Sequence, residues 1–411
     1  MPAKTNDTSI HTGVNNLDRL FAEAVENKPE LATVFNLSPG AVPNISNSIH
    51  PLYRRTNFPS LSIHEYESMG LALRLASLFI TVEPMLEWFV KAAYDVECVH
   101  PTRANEKVLR QFVGEYHSGH YDNVSDALLS LADFVNFDFD VFPDFVSCGR
   151  SQLYESSRPR VRAAHPWFQQ ANRKRRRVRT NLHADFKTYT RHAAAVLGKG
   201  DLAAWLRYSF FLAVTITHEM CHAFGLLKRN DDDEPFFHAK APVSDWGTAW
   251  EMWALGGEIN PWHPSRMAPT VTLLSADWVG KRRQRANGGL VSSVVPMDWI
   301  ARWFRRRFWA ELQLGNDKRT LPICDLRVWQ QADQKKVRLY ILELSDDRMM
   351  PRRMLRSRGT KRKVSERDDG RGSGCGAVDT AADECVSSSK KRPRTADGEA
   401  VGPKRARIDN R

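Results

Sequence analysis

His218-Glu219-Met220-Cys221-His222 is the stretch that decides the reading of this chain. It closes a long apolar run, Ala203-Ala204-Trp205-Leu206 through Phe210-Phe211-Leu212-Ala213-Val214-Thr215-Ile216-Thr217. In a helix, residues i and i+4 lie one turn apart and rotated by only about 40°, so both imidazoles project from one face. That spacing lets two histidines share a tetrahedral zinc ion, with Glu219 beside them as a proton acceptor for an activated water. Asp201 is placed to cap the helix, after Gly198-Lys199-Gly200 ends the one before it. Two histidines and a glutamate this deep in an apolar helix would be costly without a metal or hydrogen-bond partners.

A catalytic zinc needs a third protein ligand and one open position. Gly225 extends the motif to HExxHxxG, but Lys228 stands where the extended pattern needs its third histidine. Three residues downstream compete for that place. Glu251 lies on the helix expected over Trp246 to Trp253, which Ser244 or Asp245 would cap and Gly256-Gly257 would end. His238 follows an acidic loop, Asp231-Asp232-Asp233-Glu234-Pro235. Asp245 is the third, with N-capping as its plainer role. Glu251 ranks first, since a lone carboxylate beside Trp246, Trp250 and Trp253 is better explained by a ligand role than by solvation. Cys221 points away from the histidine face and reads as a core thiol. His117 and His120 read as surface residues of a loop.

Around this centre the 411 residues, 42% hydrophobic with twelve tryptophans, suffice for a large core. Residues 1–60 read as mostly disordered, with one short helix near Asn15 to Val25. Helical spacing runs from Ile63 to Tyr94 and is broken at Pro84. Further helices are expected over Val124 to Phe134 (capped by Asn123), Asn181 to Leu197 and Trp299 to Leu312. Strands are expected near Gln152-Leu153-Tyr154, over Leu290 to Val295 and over Val337 to Leu344. Six scattered cysteines without a CxxC pair fit a reducing compartment. The polar start, Met1 to Thr8, does not read as a signal peptide, and no apolar run reaches the roughly 18 residues of a membrane span.

The net charge of +12 is uneven: residues 346–411 carry 18 basic and 11 acidic side chains. This segment lacks apolar periodicity and reads as a disordered tail. Its clusters Lys390-Lys391-Arg392-Pro393-Arg394 and Lys404-Arg405-Ala406-Arg407 have the layout of a bipartite nuclear localisation signal, with Lys361-Arg362-Lys363 as a further cluster. Nuclear localisation and an import receptor as partner are therefore expected. Arg173-Lys174-Arg175-Arg176-Arg177-Val178-Arg179 is the densest charge run; it reads first as a solvated loop or helix edge, and second as a nucleic-acid contact or import signal. Contact of such basic segments with nucleic acid would be non-specific and salt-sensitive.

The string Thr217-His218-Glu219-Met220-Cys221-His222-Ala223-Phe224 resembles the zinc helix of SprT/Spartan-type metallopeptidases. Gly247-Thr248-Ala249-Trp250 is similar to their second helix. The likeness spans about 60 residues, in keeping with the reach of a local motif. Trp246 stands where that family has a histidine, and its cysteine zinc ribbon has no counterpart. The later Asp-Trp-Gly-x-Ala-Trp-Glu also looks like a zincin-like group with a glutamate ligand. The resemblance implies an α-rich α+β zincin-like domain over 61–345, with a central HExxH helix, a small sheet and disordered flanks. It implies Zn²⁺ held by His218, His222 and Glu251, Glu219 as the catalytic base, and a protein or peptide substrate, cleaved in the nucleus on DNA. The competing expectation is a non-catalytic nuclear protein with a structural or degenerate zinc site, binding nucleic acid or protein through its basic segments.

Overall fold

A computed structural model describes residues 6–9, 16–142, 148–196, 201–260, 272–276, 289–316, 319–322, 324, 326–333 and 336–342. The chain divides into units 1–356 and 357–411. The second unit lies wholly outside the described residues, and with it the tail and its basic clusters.

The first unit is mixed α/β with more helix than strand. It begins with β1 (Asn6–Ser9), α1 (Asn16–Asn27) and a short α2 (Ala32–Phe35). Residues 36–62 hold only two 3₁₀ turns, yet Leu52, Tyr53 and Phe58 are fully buried, so the core starts well before residue 61. Three helices follow: α3 (Ile63–Ser68), α4 (Gly70–Thr81) and α5 (Glu83–Tyr94). The break falls at Val82, because Pro84 sits in the first turn of α5, where a missing N–H costs nothing.

A hairpin the sequence did not announce comes next, β2 (Val96–His100) and β3 (Arg103–Arg110). Then α6 (Ser118–Leu131) starts earlier than the spacing suggests. His117 and His120 form its N-terminal cap, the His120 ring accepting the His117 N–H at 3.1 Å, and are not a loop. Asn123, expected as the cap, instead donates to the Tyr94 hydroxyl.

β4 (Val135–Asp140), β5 (Gly149–Glu155), the short α7 (Gln169–Arg173) and β6 (Arg176–His183) follow. The three strands make a sheet of order β4-β6-β5, with β4 parallel and β5 antiparallel to β6. β6 displaces two expectations. The basic run is half strand, since Val178, Thr180 and Leu182 alternate into the core. The helix expected from Asn181 becomes α8 (Ala184–Val196). Arg177 is buried with its guanidinium over the Phe134 ring, donating to the Pro159 carbonyl.

α9 (Leu202–Arg229) is the spine of the core, packed against α4, β5, β6 and the next helix, α10 (Trp246–Leu255). On length and composition α9 could cross a membrane, but 89% of its most apolar stretch is buried inside the fold. Asp201 caps it through the Ala203 N–H, and Asn230, in the left-handed region, ends it. Gly256 ends α10 at φ +82°.

The chain continues through β7 (Glu258–Asn260), β8 (Leu274–Ala276), β9 (Gly289–Val294), α11 (Met297–Arg302), α12 (Arg306–Gln313), β10 (Arg327–Asp333) and β11 (Lys336–Leu342). The helix expected over Trp299 to Leu312 is thus two. A six-stranded antiparallel sheet has the order β1-β11-β10-β9-β8-β7. Leu274, Val294 and Val328 of that sheet pack with Phe21 of α1 in a second small core.

Candidate metal centre

The site forms where α10 crosses the C-terminal third of α9. The approach is close because two glycines face ring systems. A Cβ on Gly225 would stand 2.8 Å from the Trp246 ring, and one on Gly247 would stand 2.1 Å from the His218 imidazole. No side chain larger than hydrogen fits at either position without moving the helices apart or turning the facing ring away.

His218 and His222 present their Nε2 atoms to one point, and Asp245 Oδ1 lies 3.7 Å from each. The three donor atoms lie within 4.8 Å of one another, the only such His/Cys/Asp/Glu group among the described residues. Two imidazole nitrogens and a carboxylate oxygen are a donor set suited to zinc. Asp245 is also the N-cap of α10, its Oδ1 accepting the Thr248 N–H at 2.6 Å. Capping fixes the carboxylate at the helix start, facing both rings, so the capping residue is also the one that could complete the group.

Glu251 is the leading candidate for third ligand on sequence grounds, and the structure places it elsewhere. Its Oε1 lies 2.6 Å from His218 Nδ1, behind the ring, and its Oε2 accepts the Ile259 N–H at 2.6 Å. Both oxygens are thereby engaged away from the Nε2 atoms. Glu234, unnoticed in the sequence, does the same for His222: Oε1 lies 2.6 Å from His222 Nδ1 and Oε2 accepts the Trp246 N–H at 2.9 Å. Carboxylates so placed hold each ring's Nδ1–H, so that when a ring is neutral Nε2 is the nitrogen left free. His238 is exposed and is not part of the group.

The segment carrying Glu234 and Asp245 is itself anchored. Phe236 bridges to β3 through Leu109 N–H to Phe236 O and Phe236 N–H to Lys107 O, both 2.8 Å, while Trp246 Nε1 donates to the Pro235 carbonyl. The β2–β3 hairpin therefore supports the loop that supports the site. Lys228, in the place of a third motif histidine, donates to the Ala92 carbonyl at 3.4 Å.

Electrostatics favour a cation. Burial pushes the two imidazoles down, but the surrounding carboxylates override it. His218 rises to about 10 through Glu251 and Asp245, and His222 to about 9 through Glu234 and Asp245. Burial also opposes ionisation of Asp245, yet the facing imidazoles and the Thr248 N–H hold it well below the usual carboxylate range. Glu219 shifts up, because burial outweighs the two rings and its hydrogen bond from Ser151. Burial raises the Cys221 thiol well above its ordinary range, in keeping with a core thiol.

Glu219 is 3% exposed and lies between the histidines in sequence. Its side chain meets β5, where Ser151 Oγ lies 2.8 Å from Glu219 Oε2. Comparison of the chain with protein-family models, with curated proteins and with solved structures finds no match.

Proposed function

We propose that this centre binds zinc through His218, His222 and Asp245 and hydrolyses peptide bonds. The observation that carries the reading is the convergence of three donor atoms beside a buried glutamate, on a helix whose two histidines are each backed by a carboxylate. A zinc ion held there supplies Lewis acidity, lowering the pKa of water toward neutrality and polarising a carbonyl. Glu219 takes the proton of the attacking water and returns it to the departing amine nitrogen. A raised pKa suits a group that must both accept and release a proton near neutral pH.

The zincin-like assignment draws on β5. It is the antiparallel edge of the β4-β6-β5 sheet and packs on α9 beside Glu219. An edge strand, the place β5 holds among the described strands, can pair with an extended chain, which fits a polypeptide substrate. Nuclear, SprT-like action would add import through the basic tail.

The test is zinc content and proteolysis of an unfolded protein by wild type and Glu219→Gln. The variant should keep its zinc and lose cleavage. Equal cleavage by both proteins removes the peptidase reading, and a wild type that takes up no zinc removes the metal reading as well.

A second reading, binding of a polyanion, is favoured by one surface. Arg158, Arg160, Arg173, Lys174, Arg175 and Arg179 are exposed around the β5–β6 connection, and none forms an ion pair among the described residues. The connection is stapled by Asn172, which accepts the Val161 N–H and donates to the Val161 carbonyl. Fixed unpaired cations of this kind suit a phosphate backbone.

A further inference from the structure

Glu219 is held from outside its own helix. Gly149 and Ser151 lie two apart on β5, so they share one face of the strand. That face meets the Glu219 side chain. Ser151 Oγ is 2.8 Å from Glu219 Oε2 and 3.1 Å from the Glu219 carbonyl oxygen. Thr180, fully buried and directly opposite Ser151 on β6, has its hydroxyl 3.0 Å from Ser151 Oγ. Gly149 lies against the other oxygen: a Cβ there would overlap Glu219 Oε1 and stand 2.7 Å from Cγ.

We propose that Gly149 and Ser151 are positioning residues for Glu219, with β5 fixing which carboxylate oxygen stays free to take a proton. The assignment rests on the reading of Glu219 as the base. A serine hydroxyl has one proton to give. An ionised carboxylate is a stronger acceptor than a helix carbonyl that is already bonded, so that proton goes to Oε2. The Thr180 hydroxyl then donates to Ser151 Oγ and sets its rotation. Oε2 is occupied, and Oε1 rests over the bare Cα of Gly149 with no hydrogen-bond donor on it among the described residues. Only glycine leaves Oε1 room in that position. A carboxylate swinging about its last torsion would present either oxygen; one locked at both ends presents a single oxygen in one orientation, and effective proton transfer depends on that placement.

A purely structural role would leave Ser151 tying β5 to α9 through the Glu219 carbonyl, with no effect on the carboxylate. Kinetics and crystal structures of full-length Ser151→Ala, Ser151→Thr and Gly149→Ala, loaded with zinc, separate the two. Ser151→Ala should lose about 10–100-fold in kcat with KM and zinc content unchanged. Ser151→Thr, which keeps the hydroxyl, should recover most of it, and Gly149→Ala should displace the carboxylate outright. In the crystal structure of Ser151→Ala the Glu219 carboxylate should have rotated off its present position. Wild-type kcat in Ser151→Ala beside an inactive Glu219→Gln overturns the proposal while leaving the base intact. If wild type and Glu219→Gln alike show no hydrolysis, the base reading fails, and the crystal structures decide positioning: an unmoved carboxylate in Ser151→Ala overturns it. Should Ser151→Ala not fold, Thr180→Val removes the donor behind Ser151 and is expected to give the same kcat-only loss in smaller measure; no loss overturns the relay.

Discussion

Glu234 and Glu251 approach the two motif histidines in the same way: each sets Oε1 2.6 Å from a ring Nδ1 and closes its other oxygen on a backbone N–H, that of Trp246 at the start of α10 or of Ile259 in β7. Each carboxylate orients one imidazole and ties it to the element that delivers Asp245. Glu234→Gln and Glu251→Gln are therefore expected to weaken zinc binding by about 10–100-fold each without abolishing it. Asp245→Ala, which removes a direct donor, is expected to cost more than either. Competition against a chelator of known affinity measures all three. Loss of stoichiometric zinc in Glu251→Gln, with Asp245→Ala unaffected, would return Glu251 to the place of third ligand.

Gly247→Ala places a methyl group 2.1 Å from the His218 imidazole, far inside contact distance. Relief requires either α10 to lift from α9 or the ring to turn out of the site, and either separates Asp245 from His218. The expected result is loss of zinc uptake together with a lowered Tm. Full zinc content in this variant would show that the close approach of the helices is dispensable.

The helix of the motif, its cap at Asp201, the cap at Asp245 and the stop at Gly256 are all legible in the sequence, because each depends on residues within a turn or two of one another. What is not legible depends on distance. Sequence sets Asp245 as a cap against a ligand, and only the crossing of α10 over α9 brings the capping carboxylate to 3.7 Å from both Nε2 atoms. Glu234 looks like the end of a solvated acidic run, and its three predecessors are indeed exposed; the available cue is its place just before Pro235-Phe236-Phe237, where the chain turns back into the core. Gly149 and Ser151 leave no cue, since β5 lies almost seventy residues upstream and meets Glu219 only through the sheet. β6 is hidden by its own arginines, which mask the alternation of Val178, Thr180 and Leu182.

Zinc uptake should be coupled to proton release. Without metal, the carboxylates hold His218 near pKa 10 and His222 near 9, so both rings are protonated at pH 7. Ligation needs them neutral, and binding at pH 7 should release about two protons, read as the buffer dependence of the calorimetric enthalpy. In the metal-free protein the two raised pKa values lend stability that is complete below pH 6.5 and lost as pH rises through about 9 to 10. Saturation with zinc at about 100 times its Kd adds roughly 2.7 kcal/mol by mass action, so a chelator should lower Tm. Proton release near zero at pH 7 would mean the rings are not held charged by Glu234, Asp245 and Glu251.

The exposed cations around the β5–β6 connection give a salt-dependence prediction. If they meet phosphates, replacing Arg173, Lys174 and Arg175 with serine should weaken duplex binding by a similar factor for every sequence. It should also flatten the slope of log K against log salt by about one for every phosphate no longer neutralised. Arg177 is the internal control: buried over Phe134, its substitution should lower Tm and leave the salt slope unchanged. An unaltered slope in the triple variant would assign nucleic-acid binding, where observed, to another segment.

His50 supplies a pH effect independent of the metal centre. Its Nδ1 accepts the Leu52 N–H at 3.2 Å and so must stay unprotonated to cap that turn. Burial lowers its pKa from 6.5 to about 4. As pH falls below 6.5 the unfolded chain takes up a proton that the folded protein refuses until about pH 4. Stability is therefore fully present above 6.5 and declines between 6.5 and 4, by up to about 3 kcal/mol for this one group. Asparagine at position 50 retains an acceptor for the Leu52 N–H and does not titrate, so His50→Asn should fall less steeply than wild type in urea midpoint between pH 7 and pH 4.5. Parallel curves for the two proteins would show that the His50 ring is protonated without cost in the fold.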